Sequence, residues 1–179
     1  MQRVVQVLII LGVVALLPAV PPTRNGGAAG FSLEERHEPR QSLAIIVNKS
    51  NPVDNLSFVE LRRIFLGQRS RWPNGHRIAV VMLERGEPER ETVLHEVYRM
   101  SENDYRSHLL KGLFTGDVFV APKTLTSPLV VRKFVFNAPG AIGYLRASDV
   151  DSSVKVIRVD GLLPTDSEYR LQIDARPVN

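Results

Sequence analysis

The sequence predicts an α/β layered domain, and three observations carry that expectation. Short apolar runs rich in β-branched residues recur, the first being LAIIVN at Leu43–Asn48 and the second at Ile78–Leu83. Between and after them lie capped or amphipathic segments of helical length, such as SFVELRRIFLG from Ser57. Clusters of proline, glycine and asparagine, as in WPNG at Trp72–Gly75, separate the two kinds of element. Strands that alternate with helices imply a mixed sheet whose faces the helices cover.

Taken in order, Phe31 to Ser42 is polar and charged and reads as a loose lead-in. LAIIVN follows as a buried strand, a short apolar run rich in β-branched residues and bounded by KSNP. Ser57 with Glu60 three residues on is a capping box, and Phe58, Leu61, Ile64 and Phe65 share one face of the helix that Gly67 stops. After the WPNG turn, Ile78–Leu83 is the second strand. Pro88 is a good first helical residue, and the helix it opens runs through Val93, Leu94 and Val97 to about Met100. Ser101 with Asp104 starts the next segment, which ends near Gly116. Ser127 and Pro128 start another, closed by Asn137, Pro139 and Gly140. AIGYL and VKVIRV then read as two short strands.

Residues 1–30 differ in kind from the rest. Arg3 gives a positive start, Val4 to Val20 is almost unbroken aliphatic sequence, and PPTRNGGAAG supplies small residues suited to signal-peptidase cleavage. An export signal is the expectation, with a retained membrane anchor as the alternative, since the run sits at the lower edge of bilayer-spanning length. Either way residues 31–179 form one domain outside the cytoplasm, periplasmic or secreted. With no cysteine, disulfides, thiol chemistry and an N-terminal lipid on cysteine are excluded. The net charge of +4 comes from scattered basic residues, and Arg3 and Arg24 contribute two of them, so nucleic acid is not an expected partner. A membrane is met only through an uncleaved leader.

No catalytic or metal constellation stands out. His37, His76, His95 and His108 have no metal-ligand spacing, and GxSxG, GxxxxGK[ST] and GxGxxG are absent. His95 lies mid-helix, where a surface or satisfied histidine is expected. Arg62 and Arg63 read as a solvated helix face. Trp72, the only tryptophan, either packs on the domain or offers a stacking surface, and packing is preferred. The expectation is a non-enzymatic protein without cofactor or metal.

Separated motifs agree on a family. The run VNKSNPVDNLSFVELRRIFLGQRSRWPNG, the later HLLKGLFTG and the closing NAPGAIGYL resemble, in this order, the phosphate-binding proteins of ABC transporters, within the type 2 periplasmic binding protein superfamily. The match covers about residues 43 to 146. The resemblance implies one periplasmic-binding-protein-like lobe, or a lobe with a minimal remnant of the other, since those proteins hold ligand between two lobes and the flanks of this chain are short. It implies phosphate or another small anion as ligand and an ABC permease or other envelope protein as partner.

The expected ligand loop is ERGEPERET. The family carries an arginine and then GSGTR opening a helix; aligned on Gly86 and Arg90, this chain has Leu83 for the arginine, Glu87 for the serine, Pro88 for the second glycine and Glu89 for the threonine. Pro88 also removes a backbone N–H. Glu87 and Glu89 therefore supply negative charge at the helix N-terminus from within the chain. They would also repel a phosphate dianion, since two unit charges about 4 Å apart feel roughly 4 kcal/mol at an effective dielectric of 20. The alternatives are that the glutamates are ordinary first-turn capping, or that Arg85 and Arg90 both turn toward an anion and offset them. The candidate ligand-binding residues are thus Arg85, Gly86, Glu87, Glu89 and Arg90, and two functions stand open: an anion-transport or sensing lobe with a degenerate phosphate loop, or a single-lobe interaction module that no longer binds phosphate.

Overall fold

The computed structural model describes residues 41–117 and 121–173. The leader and most of the Phe31–Ser42 lead-in lie outside the described residues. The main sheet runs in the order β4-β3-β5-β1-β6, with β8 also paired to β1, where β1 is Gln41–Val47, β3 Ala79–Leu83, β4 Lys123–Leu125, β5 Ala141–Arg146, β6 Lys155–Val156 and β8 Gln172–Ile173. β3 lies parallel to β4 and β5, while β1 is antiparallel to β5, β6 and β8. A two-stranded parallel ribbon joins β2, Asn55–Leu56, to β7, Arg158–Val159. The helices are α1, Phe58–Phe65, α2, Pro88–Val93, α3, Glu102–Thr115, and α4, Pro128–Asn137. The mixed α/β lobe expected from the sequence is the fold found.

Local chemistry explains the elements. Leu43 to Val47 is buried throughout, because β1 is central and covered on both faces. α1 has both halves of its capping box: the Ser57 side chain accepts from Glu60 N–H, and the Glu60 carboxylate accepts from Ser57 N–H. Ser101 and Ser127 cap α3 and α4 as expected, and Gly116 ends α3 with a φ of 79°.

The motif words act as fasteners. Asn48 Nδ2 donates to the carbonyls of Val135 and Phe136, so the residue after β1 caps the end of α4. Trp72 is buried and its Nε1–H donates to Gly140 O at 2.9 Å, which settles it as a packing residue. Gly140 touches the loop so closely that a Cβ there would stand 2.0 Å from Arg77 O. At Gly143 a Cβ would meet Val81 Cγ2 at 2.5 Å, so that glycine lets β5 and β3 sit side by side.

Four expectations differ. Gln41 and Ser42 belong to β1 rather than to the lead-in, since β8 arrives to pair with them. VKVIRV is not one strand: Val156 pairs with β1, Arg158 pairs with β2, and Ile157 turns between them into the core. The helix from Pro88 does not run regularly to Met100; it widens into a π-helical turn at Leu94–Tyr98 and ends on Arg99 in the left-handed region, φ 59°. That turn places Leu94, Val97 and Tyr98 all in the core, with Tyr98 Oη donating to Phe65 O at 2.8 Å. Arg63 is solvated, but Arg62 is half-buried and donates to Tyr98 O.

Candidate functional site

The loop from β3 to α2 begins where Leu83 N–H donates to the Tyr144 hydroxyl on β5, and Glu84 N–H donates to Leu125 O on β4. Burial pushes the Tyr144 hydroxyl far above its ordinary pKa, so it stays a neutral acceptor. Gly86 then turns with a φ of 92°, and a Cβ there would meet nothing, so the backbone conformation alone calls for glycine. Glu87 is the N-cap of α2, but its side chain makes no capping bond; its carbonyl accepts from Arg90 N–H and Glu91 N–H. Pro88 occupies the first helical position as expected.

The two residues that follow turn inward. Glu89 is 3% exposed, and its Oε1 accepts from Nε of Arg146, the last residue of β5, whose other arm reaches Gln41 Oε1. Its second oxygen, Oε2, is buried without a partner among the described residues. The hydrogen bond that Arg146 donates to Glu89 outweighs partial burial and raises its pKa, so the guanidinium stays charged. Arg90 is 5% exposed: Nε and one terminal nitrogen bind the Glu102 carboxylate in a fork, both at 2.9 Å, and the other donates to Leu83 O at 2.9 Å. The guanidinium also lies 5.2 Å from the centre of the Tyr105 ring. Burial works against its charge, but the Glu102 carboxylate more than compensates and its pKa is raised. Arg90 in turn holds Glu102 below the usual carboxylate range.

These contacts change the expectations for the loop. Of the two glutamates expected to bring negative charge to the start of α2, Glu89 is buried against the Arg146 guanidinium, while Glu87 is half-buried and makes no capping bond. Arg90 does not turn outward beside Arg85, because both edges of its guanidinium are taken by Glu102 and Leu83 O. Arg85 alone faces a surface cavity of about 360 Å³, whose rim also holds Gly86, Glu91 and Glu102. With Glu102 matched by Arg90, the cavity lining holds Arg85 and Glu91 without an ion-pair partner among the described residues, one charge of each sign, so this lining is not cationic. His95 stands on the same rim, with its side chain 81% exposed. Among the described residues no group of three or more side chains is placed to hold a metal ion, and no helix is long and apolar enough to cross a membrane.

Arg146, Glu102 and Tyr144 complete the site and were not singled out from the sequence. Arg146 directly follows the PGAIGYL word, and its position opposite Leu43 in the β1–β5 ladder puts it at the sheet end from which α2 starts.

No family model matches the chain. The chain is 29% identical over 123 residues to the phosphate-binding protein PstS of Bacillus subtilis, a match covering 68% of this chain and 37% of that protein. Its fold is similar to that of an ABC-type phosphate transport receptor from Vibrio cholerae, with 27% identity and a TM-score of 0.58 over 70% of this chain and 48% of the receptor. A protein from Clostridium perfringens solved with bound phosphate is similar to the same extent, with 26% identity and a TM-score of 0.57 over 70% and 47%. PstS from Borrelia burgdorferi, at 13% identity and a TM-score of 0.55, shares the fold. The chain thus spans about half the length of the solved relatives and less of the curated one. In sequence and in fold it resembles a single lobe of the phosphate-binding proteins of ABC transporters.

Proposed function

We propose that the chain is an exported, non-enzymatic substrate-binding-protein-like lobe, associated with phosphate or small-anion transport or sensing, whose phosphate loop is degenerate. The observation that carries this reading is the buried Glu89–Arg146 pair: an internal carboxylate lies at the start of α2, where the resemblance places a bound anion. A guanidinium satisfied by its own chain has no unmet charge to offer a phosphate. Arg90, engaged by Glu102 and Leu83 O, supports the same reading.

Titration with inorganic phosphate, followed through the amide resonances of Gly86, Glu87 and Glu89, tests it. In the unmodified protein those resonances should not move. In a Glu87→Ser, Glu89→Thr variant they should move, because hydroxyls replace carboxylates and Arg146 is released to bind an anion. Saturating shifts in the unmodified protein at low phosphate would overturn the degenerate-loop reading.

A second reading, a lobe that docks on another envelope protein and no longer binds phosphate, is favoured by one feature. α3 buries only Tyr105 and Gly112, and it exposes Leu110, Leu113 and Phe114, the last to 90%. Resonances that stay still in both proteins would leave this reading standing and remove the first.

A further inference from the structure

The loop from α1 to β3 carries Arg69, Arg71 and Arg77 around a cavity of about 210 Å³. Ile64 and Ile78, both buried, also line it, together with Gly67 and Ser70. This is a different place from the β3–α2 loop, and its charge is different too.

Arg71 and Arg77 are directly opposite each other in an antiparallel bridge. The flanking bonds, Trp72 N–H to His76 O and Ile78 N–H to Ser70 O, both 2.9 Å, make this a non-hydrogen-bonded pair, the kind in which side chains approach most closely. Like charges facing each other across such a pair are unfavourable. Among the described residues neither arginine has a carboxylate partner. Arg69 lies 3.7 Å from Glu60, which already accepts from the Ser57 backbone and hydroxyl.

The hairpin ties down the Arg71 and Arg69 side chains, and Arg77 is placed by its backbone opposite Arg71. Buried Trp72 anchors the hairpin to Gly140, Arg71 donates to Gly75 O at 2.7 Å, and Arg69 Nε donates to Arg71 O. Repulsive cations fixed by their own backbone are preorganised for an anion that relieves the repulsion, and guanidinium forks match phosphate oxygens in particular. Ile64 and Ile78 in the lining suit a ligand with a small hydrocarbon body behind its charge. We propose that this cavity binds a small organic phosphate monoester, at a site separate from the β3–α2 loop. The proposal goes beyond the function proposed above and stands or falls independently of it.

Calorimetric titration with phenyl phosphate at low salt, on the purified protein, on Arg77→Gln and on Arg85→Gln, tests it. The unmodified protein should bind with one-site saturation. Arg77→Gln should weaken binding at least about tenfold, the loss expected for one charge-assisted hydrogen bond. Arg85→Gln should bind like the unmodified protein. Because Arg77→Gln removes a like charge opposite Arg71, its melting temperature should be equal or higher, so weaker binding would not reflect unfolding. Absence of saturable binding by the unmodified protein, or undiminished binding by Arg77→Gln, overturns the proposal. So does a loss confined to Arg85→Gln, which would place the anion at the β3–α2 loop instead.

Discussion

Gly140→Ala is expected to leave a protein that melts roughly 10 °C or more below the unmodified one, as a loss of about 3 kcal/mol or more would give in a domain of this size. The added Cβ would stand 2.0 Å from Arg77 O and 3.1 Å from Arg77 C. Both are backbone atoms, so no rotamer change relieves the clash. Retreat of the loop would stretch the bonds that Gly140 O accepts from Trp72 Nε1 and Ala79 N, and would withdraw the buried indole from the core. It would also disturb the first rung of the parallel β3–β5 ladder, Ala79 opposite Ala141. Gly86→Ala is the control: it meets no atom and pays only for its positive φ, about 1 kcal/mol. Circular dichroism melts of the two variants check the ranking, and equal melting temperatures would refute the close-approach argument.

The second large effect is expected at Arg90. Arg90→Leu should destabilise by roughly 3 kcal/mol, because removing one member of a largely buried ion pair strands the other, and Leu83 O loses its side-chain donor as well. Adding Glu102→Leu should recover part of the loss, since no unpaired carboxylate then remains. The pH dependence follows with its sign. Arg90 holds the folded-state pKa of Glu102 below its unfolded value, so the stability this pair contributes is fully present above about pH 4.3. It is lost as the pH falls through the lower folded value. Arg90→Leu should therefore lose less stability between neutral and acid pH than the unmodified protein does. Because Glu102 keeps 28% of its side-chain exposure, solvent screening makes this share smaller than that of a fully buried pair. Urea titrations at neutral pH and near pH 3 would show it.

Much of this fold was legible because local chemistry and burial agreed. LAIIVN reads as a buried strand, and its central place in the sheet is the reason. Ser57, Ser101 and Ser127 mark helix starts that no tertiary contact overrides. VKVIRV misled because its pattern is fixed by two different partners, β1 and β2, neither of which is local.

At the candidate site the loop was legible, but the directions of its side chains were not. Glu89 and Arg90 stand four residues before Val93 and Leu94, so helical phase places both charges on the inward face with the core residues. That signal was present, but it conflicts with the usual exposure of charged residues. What resolves the conflict is a partner for each, Arg146 and Glu102, and the distant one cannot be found without knowing the sheet order.

The placement of β1 also sets the order in which the molecule can assemble. Its pairings are Leu43 with Arg146, Ile46 with Val156 and Gln41 with Ile173, so every neighbour of the central strand comes from about a hundred or more residues downstream. A nascent chain that has emerged only as far as α4 can form helices and the β3–β4 pair, but β1 with its buried LAIIV run has no place to go. Closing such long loops is slow because their entropy is lost before the contacts that reward it are made. Folding is thus held back until the last strands arrive, and through that interval LAIIV is the segment most exposed to mispairing with another chain.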